Sequence, residues 1–209
     1  LLKYKFWKIQ ENKIMISYFL KGGPLMWPIL LCSLTAVAII IERLLFYHRI
    51  RIDEEKFVQE IKKFLDKKDI AGAIKYCETH TGPIATVIYA GLKNYPGPPA
   101  EREKAIDLAN LYVIPALQKY LPLLSTIASI STLLGFTGTV TGMIRAFNAI
   151  VQHGVSSPTI VAAGIAEALI TTAAGLFVAI PTQIFYHYFS YRVERIILSI
   201  ERAVGELLK

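Results

Sequence analysis

Residues 133–150 read LLGFTGTVTGMIRAFNAI, apolar enough for a lipid bilayer yet interrupted by Gly135, Gly138 and Gly142 and by Thr137, Thr139 and Thr141. Leucine and valine would suffice for a helix that only anchors a chain in lipid. The bare backbone and the hydroxyls need a further cause, and finding it decides what kind of membrane protein this is.

The chain of 209 residues is 54% hydrophobic and only 19% charged, with a mean hydropathy of +0.44, outside ordinary soluble composition. Three stretches can cross a hydrocarbon core of about 30 Å at 1.5 Å per helical residue: Pro24 to Ile41, Tyr120 to Ile144, and Gly154 to Tyr191, the last interrupted only by Glu167. Uncharged strands of this length would leave open edges in lipid, so the spans are helices. The first runs into a charged end without a small-residue cleavage pattern and reads as a retained span. The expected fold is an all-α membrane protein with three transmembrane helices, the second and third long and extending into the cytoplasm, and a helical cytoplasmic insertion. The expected boundaries are an extracytoplasmic or interfacial segment 1–23, spans 24–46, 119–152 and 159–190, a cytoplasmic helical region 47–118, a short periplasmic connector 153–158 and a cytoplasmic C-terminal helix 191–209.

Orientation follows from the basic residues. Segment 43–119 carries thirteen Lys and Arg, from Arg43 to Lys119, and the tail carries Arg192, Arg195, Arg202 and Lys209, whereas VQHGVSS (151–157) has none. The positive-inside rule puts the large polar segment and the tail in the cytoplasm and the start of the chain outside. Lys3, Lys5, Lys8, Lys13 and Lys21 run against this. Two readings reconcile them: residues 1–14 are an extension upstream of a natural start at Met15, or YKFWKIQ is an interfacial helix with Phe6 and Trp7 among the headgroups.

Between the first two spans, Phe57, Ile61, Phe64 and Leu65, then Ile70, Ala73, Ile74 and Cys77, have helical spacing on short elements. YPGPPAER (95–102) is a loop ending at a helix start, after which Glu101 to the outer end of span two reads as one helix of about 50 residues, or about 75 Å. Cys32, within a span, and Cys77, in the polar region, are not expected to meet, and Cys77 favours a reducing compartment. No catalytic, phosphate-loop or metal motif emerges: four histidines are scattered, and His80 has only Cys77 and Glu78 nearby. No enzyme, cofactor or metal is expected. The net charge of +7 reflects membrane flanks rather than a nucleic-acid groove.

A tight turn near residues 155 and 156 would make spans two and three antiparallel, with Thr139 at the depth of Thr172 near mid-bilayer. Gly135, Thr139, Gly142 and Ala146 on one helix, and Gly164, Ala168, Thr172, Gly175, Ala179 and Thr182 on the other, each make a small-residue face with a hydroxyl in its middle. Close packing explains such faces if the hydroxyls bond back to their own helix; a pathway lined by Thr139, Thr172 and Glu167, with room for another helix and a few waters, is the alternative. Glu167 inside a span is a functional candidate by default. The same depth argument sets it beside Arg145, so an ion pair and a role in ion movement both stand.

GTVTGMIRAF (138–147) followed by GIAEALITTAAGLFVAIP (164–181), with KGGPLMWPILLCS (21–33) before the first span and DIAGAIKYCETHTGP (69–83) in the polar part, resembles the MotA/TolQ/ExbB proton-channel family. The similarity covers nearly all of residues 15–190, and three spans with one large insertion look like the ExbB/TolQ branch. Arg145 sits where the family pattern is not fixed, so its pairing with Glu167 rests on the depth argument alone. The resemblance implies a homopentamer in the bacterial inner membrane around two copies of a single-span ExbD/TolR-like subunit whose intramembrane aspartate takes the proton, with a TonB- or TolA-like protein as a further partner. An ExbB-like import energiser is favoured; a TolQ-like envelope-maintenance subunit and a non-conducting scaffold are the alternatives. Coupling to H⁺ or Na⁺ stays open.

Overall fold

The computed structural model describes residues 17–50, 54–153 and 158–207, and among these the regular elements are all helices. Residues 17–21 are helical, and after them come α1 (Met26–Arg49), α2 (Glu54–Asp66), α3 (Ile70–Thr79), α4 (Pro83–Lys93), α5 (Pro99–Gln118), α6 (Leu121–His153) and α7 (Pro158–Leu207). The chain is thus an all-α membrane protein with three runs long and apolar enough to cross a bilayer: α1, the run of α5 into α6, and α7. Only 22% to 33% of their most apolar windows is buried within the chain. Helices this apolar leave so much surface uncovered only where lipid or another chain takes the place of a core. The N-terminal residues through Met15, with the proposed interfacial helix, and the expected turn at 155 and 156 lie outside the described residues.

The single helix expected from Glu101 onward is broken. Lys119 leaves helical geometry with ψ 133°, and Tyr120 is left-handed with φ 67°. Pro122 has no N–H to offer the preceding turn, so the helix cannot run through this point without losing a hydrogen bond. The last carbonyls of α5 are supplied instead by α1. Tyr47 donates its hydroxyl to Leu117 O at 2.8 Å, and Arg43 Nη1 reaches Ala116 O at 3.4 Å. Arg43, counted from sequence among the basic flanks, is 2% exposed. It pairs with Glu42 at 2.5 Å and lies over the rings of Phe46 and Tyr120 at 4.4 and 5.4 Å.

The chain forms two compact units. One joins the residues up to Ile40 with Leu123–Tyr186; the other joins Ile41–Pro122 with the chain from His187 onward. The second has a core of large side chains: Phe57 and Ile61 of α2, Ala73 and Cys77 of α3, Ile84, Val87, Ile88 and Leu92 of α4, and Ile106 of α5. The end of α7 contributes Ile200, Ala203 and Leu207. Their spacing of three and four puts each set on one helix face. Asp69 caps α3 by accepting from Gly72 N at 2.9 Å, and Pro83 opens α4, where a missing N–H costs nothing.

Within this unit His80 joins no ligand set. Its Nδ1 lies 3.0 Å from Tyr76 O and 3.1 Å from the Thr79 hydroxyl, and its ring packs 4.4 Å from that of Tyr76. Among the described residues no three candidate metal ligands converge. Cys32 and Cys77 are both free thiols. Burial, with Glu78 adding a smaller effect, pushes the Cys77 thiol up to about 12.

Candidate functional site

In the first unit α6 and α7 touch along their small residues, and the glycines bring backbone against backbone. A Cβ on Gly142 would lie 2.8 Å from Gly164 O and 2.9 Å from Ala168 N; on Gly164, 2.9 Å from Ala146 N. On Gly175 it would meet Ser131 O at 2.6 Å, and on Gly135, Thr172 Cα at 3.3 Å and Gly175 Cα at 3.4 Å. The expected faces therefore exist, but they fill each other. From sequence both close packing and room for another helix with a few waters stood open; along this seam the occupant is the antiparallel helix of the same chain. Lipid provides no hydrophobic drive between helices, so close van der Waals approach and interhelical hydrogen bonds must hold such a pair.

The hydroxyls join this seam unequally. Thr172 Oγ1 lies 2.9 Å from Gly135 O across the seam and 3.1 Å from Ala168 O in its own helix, so one proton is shared between two carbonyls. Thr139 donates to Phe136 O at 2.5 Å, three residues back, and is half-buried. Thr137 and Thr141, on the far side of α6, also bond back to their own helix. Thr139 and Thr172 are each about 40° around their helices from the seam residues Gly135 and Ala168. On antiparallel helices equal offsets fall on the same side, so both hydroxyls border one flank of the seam.

Glu167 and Arg145 border the other flank. They lie about 100° and 60° from Ala168 and Gly142, in the opposite sense. Arg145 Nη1 donates to Glu167 Oε1; the guanidinium is 52% exposed and the carboxylate 17%. This flank is covered by the turn that precedes α1. Thr171 donates to Gly22 O at 2.7 Å. Gly23, with φ 72°, lies against the Glu167 carboxylate where any side chain would collide. The structure therefore divides the expected set: Thr139 and Thr172 border one flank of the seam, while Glu167 is on the other with Arg145.

Sequence reasoning missed two residues. Thr171, 1% exposed, holds the Gly22 carbonyl from 149 positions away, and no local signal announces that contact. Ser131 is fully buried, and among the described residues its Oγ has no partner. It continues the Gly135, Gly138, Gly142 face by one helical turn, so extending that periodicity backward would have found it.

Chemically, the Thr139–Thr172 flank can accept and relay hydrogen bonds but cannot hold a charge, because threonine does not titrate near neutrality. Any proton chemistry there needs an acid or base from elsewhere. The family model described as the MotA/TolQ/ExbB proton channel family matches residues 79–202. The chain is 30% identical over 188 residues to the biopolymer transport protein ExbB-like 3 of Synechocystis, covering 89% of this chain and 90% of that one. ExbB-like 1 of the same organism is 36% identical over 92% of this chain and 74% of its own. The Tol-Pal system protein TolQ of Haemophilus influenzae is 44% identical over 93 residues, 44% of this chain and 41% of its own.

Proposed function

Because the chain belongs to the MotA/TolQ/ExbB proton channel family, we propose that it is the ring-forming subunit of an inner-membrane motor that uses the proton motive force to energise outer-membrane processes. Five copies surround two copies of a single-span ExbD/TolR-like subunit, with the N-terminus periplasmic and the C-terminus cytoplasmic. The basic residues on either side of the spans support that orientation. Similarity over 89% and 92% of this chain to ExbB-like proteins supports an import energiser as the first reading, with an envelope-maintenance role like that of TolQ as the alternative.

One observation carries this reading: the seam leaves Thr139 and Thr172 on the flank opposite the one covered by the turn before α1. The partner's carboxyl meets these hydroxyls there. A proton crossing releases about 2.3 kcal/mol per 100 mV, enough to bias rotation of the partner against the ring. Glu167, held by Arg145 away from that flank, acts as an anchor rather than a carrier.

Valine matches threonine in volume and removes only the hydroxyl. With the partner coexpressed, Thr172→Val abolishes proton-driven work while the ring and its partner still copurify, and Thr139→Val does nearly the same. Thr172→Ser keeps the hydroxyl and the work; Thr137→Val and Thr141→Val, on another face, keep most of it. Proton-driven work that survives in the Thr139→Val, Thr172→Val double variant would return these residues to packing and favour a scaffold. Native mass spectrometry of the complex checks the stoichiometry, and a stable monomer or dimer would overturn the ring.

A further inference from the structure

The described residues of the membrane unit contain only three charged side chains, Lys21, Arg145 and Glu167. All three border a single cavity of about 580 Å³. We propose that this cavity binds the headgroup phosphate of an anionic glycerophospholipid. Two cations against one carboxylate leave a net positive charge. Glu167 engages one nitrogen of Arg145, and the half-exposed guanidinium has further donors to offer a phosphate oxygen. Lys21 is exposed and pairs with no carboxylate among the described residues; its ammonium lies 5.9 Å from the Tyr18 ring. Thr159 adds a hydroxyl in the first turn of α7, where a helix start is itself partially positive.

The remaining walls choose between a lipid and a free anion. Ile160, Ala162, Ala163 and Ala166 are apolar and line the same cavity as the charged groups. A free phosphate would leave them uncovered, whereas a glycerophospholipid puts its phosphate on the cations and an acyl chain along the alanines. The site lies within one chain and requires neither a ring nor a partner subunit.

The test uses the full chain in mild detergent, washed free of lipid and titrated with dioleoylphosphatidylglycerol under native mass spectrometry. Dioleoylglycerol and inorganic phosphate serve as competitors. The expected result is a single retained phosphatidylglycerol per chain, displaced by neither competitor at equal concentration. Lys21→Gln, an exposed change that leaves the Arg145–Glu167 pair intact, weakens retention about tenfold, the worth of one charge-assisted hydrogen bond. Lys21→Arg restores it. Retention by Lys21→Gln equal to the unaltered chain overturns the proposal. So does displacement by inorganic phosphate, which would make this a free-anion site, or by dioleoylglycerol, which would make it an apolar groove.

Discussion

The two units are built from the same secondary structure by opposite means. Along the α6–α7 seam the helices meet through Gly135, Gly142, Gly164 and Gly175, with backbone atoms in contact and a threonine hydroxyl bridging to a carbonyl. In the other unit Phe57, Ile61, Ile88 and Leu92 are 1% exposed or less and hold the helices apart by the bulk of their side chains. Water drives the second arrangement by expelling apolar surface. In lipid that drive is absent, and what remains is contact distance and hydrogen bonding. Small residues are therefore a structural expense in one unit and the structural material of the other.

Substitutions can break this contrast, and chemical denaturation of the full chain in mixed micelles measures each. Leu92→Ala empties the large-residue core and should cost about 3 to 5 kcal/mol. Removing one member of the Arg145–Glu167 pair, by Arg145→Met or Glu167→Gln, should cost about 3 kcal/mol, at the low end for a buried pair because Arg145 is half-exposed. The double variant should lose less than the two single losses added together, and strict additivity would show that the two do not interact. Gly142→Ala adds one methyl where Gly164 O and Ala168 N of α7 block it and should cost about 1 to 3 kcal/mol. Gly205→Ala sharpens the contrast from the other side. A Cβ there meets nothing within 4 Å, so the same exchange should stabilise α7 by about 0.5 to 1 kcal/mol. If both glycine variants shifted stability in the same direction, the seam would not depend on close approach.

Much of this was legible because periodicity is local. The 4, 3, 4 spacing of small residues identified the faces that meet, and an antiparallel hairpin put Arg145 and Glu167 at one depth. What escaped the sequence depends on contacts between distant segments. Thr171 and Thr172 are adjacent and chemically identical, and the arrival of Gly22 on one side with Gly138 on the other distinguishes the buried one. Counting charges puts Arg43 among solvated flanks, yet the unbonded carbonyls at the end of α5 draw it inside. The break at Lys119 and Tyr120 was missed because neither residue is a breaker, and Pro122 just beyond them reads as part of an apolar run. The faces were visible, but their occupant was not, since a stripe of small residues is the same whether a helix of its own chain or of another will lie on it.

Cys77 gives the larger-residue unit a gauge of its own. Cys77 is 3% exposed, and with the thiol held up to about 12 almost no thiolate exists at neutral pH, the form that alkylating reagents require. Labelling of the closed fold is thus blocked twice, by access and by protonation, and must wait for α3 to swing open. In a chain whose Cys32 has been replaced by alanine, the alkylation rate divided by that of an unfolded thiol reads the opening equilibrium directly. A cysteine with no part in the chemistry becomes a clock for how often this core comes apart while the protein works.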